Sequence, residues 1–366
     1  MNGTPTPSPA DAPAAWTTVM VASCNVLNLA LPGRRFYPNQ DPYGNAEHER
    51  KLDWLGARLL RGPLADGVAL LRRLHADVTG FQEVWDEAAL KAAVARSGLQ
   101  MRHVVAPGAE TGAEGTPRVG LATRLAVEAL RSVTDFSPGE SVVVPELGEH
   151  ARFERPVLHA TLRVKSGQRL HVLVAHLKSK RPKFLQDAAG EPLEDRDDPH
   201  VVTRATLRSL MMRAAESAAL RGLVIDLIHR TRDPLVLLGD MNDGPQSVTS
   251  QLIAATQAVA YDRQARDVAL FHAADVQTEP ALRRDMLYSH VFQGWPELLD
   301  QIWVSEELVG GAKFALGDVR RVEVFNDHLH EGRDRTRSDH GFVRALLRLR
   351  PVPPVTSDDN NGKVTG

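Results

Sequence analysis

Short runs of apolar residues alternate along the chain with longer stretches in which apolar residues recur every three or four positions. The short runs are typical of β-strands and the longer stretches of amphipathic helices. The runs predict strands at residues 17–23, 78–82, 158–165, 169–175, 235–238, 299–304 and 341–347. Helices are predicted at residues 45–60, 87–97 and 201–229, and a further helix is predicted to begin at Asp66. Such alternation indicates an α/β fold.

Six of the predicted strands carry a polar or charged side chain at one end. Four of these side chains follow the carboxyl ends of strands, and the others begin strands: Asn25, Glu83, His176 and Asp240, then Asp300 and the pair Asp339-His340. If all of them share one site, the strands of the second group run opposite to those of the first. Both sheets would then be mixed or antiparallel rather than purely parallel.

A single strand end of this kind has a simpler interpretation as a turn or cap, because Asp and Asn bond their own backbone two residues on. For Asp240 alone the two interpretations are balanced. Six such ends in one chain favour a shared site, since strand ends are where α/β proteins build their sites. Other catalytic signatures are missing from the sequence, namely the G-x-S-x-G elbow, the P-loop, the dinucleotide fingerprint and H-E-x-x-H.

Composition and charge limit the partners. The chain of 366 residues has a net charge of −2, which does not favour non-specific binding of nucleic acid. The one cysteine, Cys24, excludes a disulfide framework and a cysteine-ligated zinc site. The sequence shows no signal peptide and no stretch of about 18 apolar residues, so we expect no membrane partner and a cytoplasmic location.

Segments 1–15 and 351–366 are rich in small and polar residues and are predicted to be disordered tails. Residues 16–350 are predicted to form one domain. The acidic segment 184–200 is predicted to be a solvated loop, with a calcium site as the alternative, although no EF-hand pattern occurs there. His328 and His330 are predicted to lie in a polar loop, with zinc ligation as the alternative.

The ordered motifs N-V, Q-E, H-L-K-S, G-D-M-N, L-D-x-I-W-V-S and S-D-H resemble those of the endonuclease/exonuclease/phosphatase superfamily. The resemblance extends from about Val19 to Arg348. Each motif is short, but the ordered set that ends in S-D-H is specific. The resemblance implies a four-layer α-β-β-α sandwich of two mixed β-sheets flanked by helices. It places the site where strands of both sheets end.

The resemblance also implies a divalent cofactor, Mg²⁺ or Mn²⁺, and hydrolysis of phosphodiester bonds by in-line attack of an activated water. Glu83 would be the principal metal ligand, with Asn25 and Asp339 near the ion. Oxygen ligands of this kind suit a hard cation. The ion would supply Lewis acidity and stabilise the leaving oxygen.

The other strand-end residues are implied to act on the water and the phosphate. Asp240 would orient or deprotonate the water, and Asn242 would hold that water or the transition state. His340 would bond a phosphate oxygen and pair with Asp300, which favours its imidazolium form. His176 would also face the phosphate.

Four nearby residues are candidate substrate-binding residues: Asn28, Lys178, Lys180 and Arg213. Basic runs at 178–183 and 333–337 favour a nucleic acid as substrate, with DNA as the preferred case, because such residues bind backbone phosphates. Each run has an alternative interpretation as a solvated loop. A small-molecule or lipid phosphoester stays open as an alternative substrate, and a catalytically inactive binding module is the third hypothesis. The aromatic content shows no membrane-inserting cluster.

Overall fold

The computed structural model describes residues 16–36, 40–56, 74–108, 116–255, 259, 262–279, 287–330 and 334–352. The predicted tail 1–15, most of the predicted tail 351–366 and the start of the helix predicted at Asp66 lie outside these residues. The predicted domain boundaries stay predictions. None of the described helices is long and apolar enough to cross a membrane.

Two six-stranded mixed sheets form the centre of the described structure. From edge to edge, the first sheet contains β15 (Gly317–Phe325), β16 (Phe342–Leu349), β1 (Thr17–Leu29), β2 (Val78–Val84), β4 (Arg118–Thr123) and β3 (His103–Val105). The second sheet contains β11 (Leu270–His272), β14 (Asp300–Ser305), β10 (Leu235–Asp240), β9 (Arg169–His176), β8 (Arg152–Arg163) and β5 (Ala126–Asp135). Two further hairpins pair β6 (Val142–Val144) with β7 (Gly148–His150) and β12 (His290–Phe292) with β13 (Trp295–Glu297).

Helices cover the outer face of each sheet. The first sheet packs against α1 (Asn45–Gly56) and α2 (Glu87–Ser97), and the second against α3 (Pro199–Ile228) and α4 (Val248–Ala254). A short helix, α5 (Ala273–Val276), lies beside β11 and β15. Three 3-10 helices span Arg263–Val268, Glu306–Leu308 and Asp327–His330. This α-β-β-α order confirms the predicted four-layer sandwich.

The middle strands are apolar on both faces because each face meets a different core. On β10, Val236 and Leu238 pack between the two sheets, whereas Leu235 and Leu237 face the helices of the second sheet. All four side chains are fully buried. Burying a Leu or Val side chain stabilises the fold by about 1.5–3 kcal/mol. Packing on both sides therefore holds the strand ends, and the side chains on them, in fixed positions.

Strand directions agree with the mixed sheets that the sequence predicted. In the second sheet β10 runs parallel to β9 and antiparallel to β14, which places Asp240 beside both His176 and Asp300. In the first sheet β1 runs parallel to β2 and antiparallel to β16. Carboxyl ends of some strands thus meet amino ends of others at one edge of the sandwich.

The boundaries of several helices and strands agree closely with those that the hydrophobic pattern predicted. The helix predicted at 87–97 and the β8–β9 hairpin are present, and β1 extends beyond the predicted residue 23 to Leu29. The acidic segment 184–200 has no strand or helix before α3, apart from an isolated bridge between Gln186 and Pro192. Among the described residues, no group of three or more His, Cys, Asp or Glu side chains is arranged to hold a metal ion.

Candidate active site

Asp240, the last residue of β10, lies at the centre of the candidate site. Its Oδ2 atom accepts a hydrogen bond of 3.1 Å from the side-chain amide of Asn25 on β1. The same amide nitrogen lies 3.3 Å from Oε1 of Glu83 on β2. The Nε2 atoms of His176 and His340 lie 3.6 Å and 4.0 Å from Asp240 Oδ2. Side chains from strands of both sheets therefore converge at one edge of the sandwich.

The glycine before Asp240 is required by a close approach of two strands. Gly239 has a φ of +149°, and a Cβ atom there would lie 1.9 Å from the carbonyl oxygen of Ala175 on β9. Beyond the strand, Asn242 adopts a φ of +53°, and its backbone N–H donates to Asp240 Oδ1 at 2.8 Å. The Asn242 side chain donates to the Leu177 carbonyl at 2.9 Å. The G-D-x-N spacing thus holds the Asp240 carboxylate in one orientation.

Four residues of the site have left-handed backbone conformations: Leu27, Asn28, Glu83 and Asn242, with φ of 44°, 57°, 62° and 53°. Such conformations are uncommon outside glycine and cost of order 1–3 kcal/mol each. Hydrogen bonds maintain them here, since the Asn28 N–H donates to Glu83 Oε2 at 3.1 Å and the Leu27 N–H donates to Asn25 Oδ1 at 3.1 Å. Concentrated backbone strain is typical of functional sites.

His340 and Asp300 form a buried pair at the amino ends of their strands. His340 Nδ1 lies 2.7 Å from Asp300 Oδ2, and the Asp300 N–H donates to Ser289 Oγ at 2.9 Å. Burial opposes protonation of the ring. Asp300 and Asp240 outweigh that effect and raise the pKa of His340 well above its ordinary value of 6.5. The pairing with Asp300 therefore favours the imidazolium form of His340.

At His176 the surroundings favour the neutral form of the ring. Burial, together with the positive charges of Arg155, His340 and Lys178, lowers the pKa of His176 well below 6.5. Its Nδ1 atom is buried without a hydrogen-bond partner among the described residues. The site therefore contains one cationic and one neutral imidazole, which suits binding of an anion beside a group that accepts or donates a hydrogen bond.

Burial also sets the charge of Asp240. It raises the pKa of Asp240 from 3.8 to about 6, against the opposing effect of His340, while Asp300 adds to the rise. A carboxylate with a pKa close to neutral accepts a proton more readily than an exposed one and is still ionised at pH 7. Asp240 thus has the properties of a general base.

The carboxylates of Glu83 and Asp339 fit a hard divalent cation. Burial raises the pKa of Glu83, and the negative charge of Asp339 contributes to the rise. Asp339 Oδ1 is buried and bonds no partner among the described residues. Mg²⁺ commonly uses one or two carboxylates and completes its shell with water. Two carboxylates that influence each other electrostatically, one of them with an unbonded oxygen, are a donor set of that kind when the amide of Asn25 lies beside them.

Two cations near the site were not predicted from the sequence. Arg155, on β8, favours the ionised form of Glu83 and disfavours protonation of His176, and its Nε atom bonds no described partner. Lys51, on α1, is fully buried, and burial lowers its pKa to about 8. Its ammonium group donates to the carbonyl oxygens of Leu27 and Arg335. The available signal for Lys51 was its position on the buried face of a helix; the mixed polar sequence of β8 gave no comparable signal for Arg155.

The candidate substrate-binding residues make contacts within the protein. Lys180 Nζ lies 2.6 Å from Glu297 Oε1, and Arg213 Nε lies 3.3 Å from Asp243 Oδ2. Lys178 is buried. Asn28 Oδ1 accepts from Trp85 Nε1 at 2.8 Å. Two more members of the basic runs pair with carboxylates, Lys183 with Glu154 and Arg335 with Glu47.

Glu216, on α3, connects the helix layer to the strand ends that carry Arg155 and His176. Its two carboxylate oxygens accept backbone N–H groups, one from Glu154 at 2.9 Å and one from Lys178 at 2.7 Å. Burial raises the pKa of Glu216 from 4.5 to about 7, although the two backbone hydrogen bonds oppose the rise. A group this close to the site and with this pKa makes stability depend on pH.

We expect Glu216→Gln to flatten the pH dependence of unfolding. The folded protein binds the Glu216 proton more tightly than the unfolded chain does. The contribution is therefore complete below about pH 4.5 and is lost as the pH rises through about 7. Relative to the variant, the wild-type free energy of unfolding should fall by on the order of 3 kcal/mol across that window. Urea unfolding at several pH values measures this difference, with the exposed Glu149→Gln as the control. Parallel curves for wild type and Glu216→Gln would contradict it.

A model described as the Endonuclease/Exonuclease/phosphatase family matches residues 68–340. No curated protein matches the chain. An endonuclease/exonuclease/phosphatase family protein of Bacteroides thetaiotaomicron is 16% identical, with a TM-score of 0.51, covering 92% of this chain and 96% of its own. The catalytic domain of human Nocturnin with bound sulfate is 15% identical, with a TM-score of 0.51 and coverage of 91% and 97%. Truncated TDP2 of Caenorhabditis elegans is 12% identical, with a TM-score of 0.50 and coverage of 90% and 97%. At these identities the likeness shows a shared fold.

Proposed function

Because the chain belongs to the endonuclease/exonuclease/phosphatase family, we propose that it hydrolyses phosphoester bonds with the help of a divalent cation. The observation that carries the proposal is the connected set of groups around Asp240. The amide of Asn25 joins Asp240 to Glu83, and the imidazolium of His340 lies 4.0 Å away on the other side. A base, a cation for the phosphate and a candidate ion site thus lie side by side.

Hydrolysis begins with a water molecule between Asp240 and the phosphorus. Asp240 accepts the proton of that water as its oxygen attacks in line, and Asn242 keeps the Asp240 carboxylate oriented through its backbone N–H. His340 binds a non-bridging phosphate oxygen, and Asp300 keeps the ring protonated. Arg155 adds a second positive charge near the phosphate.

Glu83 and Asp339, with Asn25 beside them, would hold Mg²⁺ or Mn²⁺. When bound, the ion supplies Lewis acidity and stabilises the negative charge that develops on the leaving oxygen. The protein's own part is to present two carboxylates whose charges are only partly compensated by Lys51. The ammonium group of Lys51 interacts with both carboxylates from its buried position.

Nucleic acid is the first candidate substrate, and it rests on the basic runs at 178–183 and 333–337. A smaller phosphoester is the second candidate, and a specific observation favours it. Lys180, Lys183 and Arg335 pair with carboxylates of the protein itself. A cation that is already paired with a carboxylate has little net charge left to neutralise a phosphate. Fewer counterions therefore leave the nucleic acid, and the residue adds less to binding of a polyanion.

The test compares substrates in the presence and absence of a chelator. We expect no turnover with excess chelator and recovery with Mg²⁺ or Mn²⁺. We expect small phosphoesters to be hydrolysed with little change in rate between roughly 50 and 200 mM salt. Nuclease activity on plasmid, single-stranded DNA or RNA that falls steeply with salt, and falls further in the double variant Lys180→Ala with Lys183→Ala, would establish the nucleic-acid candidate instead. Full activity in excess chelator would contradict the proposed mechanism.

A further inference from the structure

A cavity of about 360 Å³ opens beside the candidate ion ligands. Described residues from three stretches line it: the end of β1 with Phe36 and Gln40, the strand β12, and residues 328–329, 334–335 and 338–339 between β15 and β16. Asn28 and Asp339 line it, so it shares a wall with the site. The Asn28 N–H bonds Glu83 Oε2 at 3.1 Å, so the cavity adjoins both carboxylates of the candidate ion site. A phosphoester bound at the site therefore has one substituent next to this cavity.

The lining combines an aromatic face with apolar and polar groups. Phe36 contributes the aromatic ring, which packs against Tyr43 and Trp85 with ring centroids 5.5 Å and 5.6 Å apart. Val291 and Leu329 contribute apolar surface. Small-molecule sites have such mixed linings and volumes of about 300–1,000 Å³, so this cavity suits one small ring-bearing group.

The charge of the lining residues favours an uncharged substituent over a second phosphate in this cavity. Among the described lining residues, Arg335 is the one that carries a guanidinium or ammonium group, and Glu47 already holds it through two hydrogen bonds. Asp334 also lines this space, whereas the carboxylate of Asp339, the second acidic lining residue, is a candidate ion ligand. A second phosphate entering this cavity would meet the Asp334 carboxylate without a free counter-charge from these residues, whereas an uncharged group would not be repelled.

Hydrogen bonds across the segments hold the cavity open in its observed shape. Lys51 donates to the carbonyl oxygens of Leu27 and Arg335, which belong to two different walls. His328 Nε2 lies 2.8 Å from the His340 carbonyl oxygen and fixes the third stretch. A cavity formed before binding spends little of the interaction energy on ordering its walls.

We propose that this cavity binds a terminal, uncharged, ring-bearing group of monosaccharide or nucleoside size that is attached to the scissile phosphate. The proposal rests on the proposed function and names its substrate class. Such a group occurs on a free sugar phosphate or nucleoside monophosphate, and also at the end of a nucleic-acid strand. An internal position of a strand does not fit, because the next phosphate would follow the ring into a cavity that contains Asp334 and whose described lining offers no free cation.

The experiment measures kcat/KM for glycerol phosphate, a hexose phosphate, a nucleoside monophosphate and a single-stranded oligonucleotide. Wild type should prefer the ring-bearing monomers over glycerol phosphate by at least about tenfold, the size of one stacking contact. Phe36→Ala removes the aromatic wall and Leu329→Trp fills the cavity, and each should bring that ratio close to one, chiefly through KM. The matched control is Phe292→Ala on β12, since Phe292 is 52% exposed and lies outside the lining.

Other results would overturn the proposal. One is a ratio that both cavity variants leave unchanged. Another is a preference for the oligonucleotide that responds only to Trp295→Ala, because Trp295 is 75% exposed at the tip of the β12–β13 hairpin and would stack bases of a strand. If no ester is turned over, the proposed function fails. Calorimetry with the same monomers then still decides, because equal binding of glycerol phosphate and hexose phosphate overturns the cavity assignment.

Discussion

Replacing Asp240 by asparagine is expected to lower kcat at least about 10²-fold while the protein stays folded. Asparagine has nearly the same shape but accepts no proton from the attacking water. The substitution also disturbs local hydrogen bonds, because the side-chain amide of Asn25 and the backbone N–H of Asn242 both donate to the Asp240 carboxylate. One of those donors would face the new amide nitrogen. The loss should appear in kcat more than in KM, since the base acts in the transition state.

The control for that experiment is Asp318→Asn. Asp318 is also buried and paired, with Arg348 on the neighbouring strand, but it lies at the opposite end of the first sheet. Its replacement should leave kcat unchanged within about twofold. Circular dichroism and thermal unfolding of both variants separate loss of chemistry from loss of fold. An Asp240→Asn variant with wild-type kcat would remove Asp240 from the mechanism.

Replacing Glu83 by glutamine is expected to raise the Mg²⁺ or Mn²⁺ concentration needed for half-maximal activity by at least about tenfold. Glutamine keeps one oxygen but loses the negative charge, which is the larger part of the attraction for a hard cation. The rate at saturating metal should also fall, because Asn25 and Asn28 both bond Glu83 and would lose their present orientation. Rates over a metal titration and calorimetric binding of Mn²⁺ measure the two effects separately.

Glu279→Gln is a suitable comparison, because Glu279 pairs with Arg320 away from the candidate site. It should leave the metal titration unchanged. If Glu83→Gln shifts neither the titration of the rate nor the calorimetric affinity, the ion binds elsewhere and Glu83 has only a structural role. If affinity falls while the rate at saturation is retained, Glu83 binds the ion without contributing to chemistry.

Local patterns in the sequence were sufficient for most elements of the fold. The apolar run before Asp240 reads as a strand buried on both faces, and it is one, because its two faces pack against two different cores. The mixed direction of the sheets followed from the positions of Asp300 and His340 at strand amino ends. The helix 87–97 was visible in its spacing. Each of these features depends on residues close together in the chain.

The candidate site was partly visible for the same reason. Asn25, Glu83, His176, Asp240 and His340 each stand at the end of a predicted strand, and the structure brings them together. Their roles stay predictions that the experiments above test. What the sequence did not reveal is the set of contacts between distant segments. Asn25 and Asp240 are 215 positions apart, and Lys51 and Arg335 are 284 positions apart.

The sequence by itself determined most element types, the mixed direction of the sheets and the residue types at the strand ends, because hydrophobic period and residue type are local properties. Only the tertiary structure decided which charges neutralise each other. The sequence around Lys180 gives no sign of a partner for its ammonium group. In the folded protein this group bonds the carboxylate of Glu297, which is 117 positions away. The structure likewise decided that Lys51 and Arg155 lie near the site and that a cavity with an acidic lining adjoins it. Pairing, burial and cavity shape depend on how separate strands and helices pack, and that packing brings together residues whose separation in sequence carries no signal.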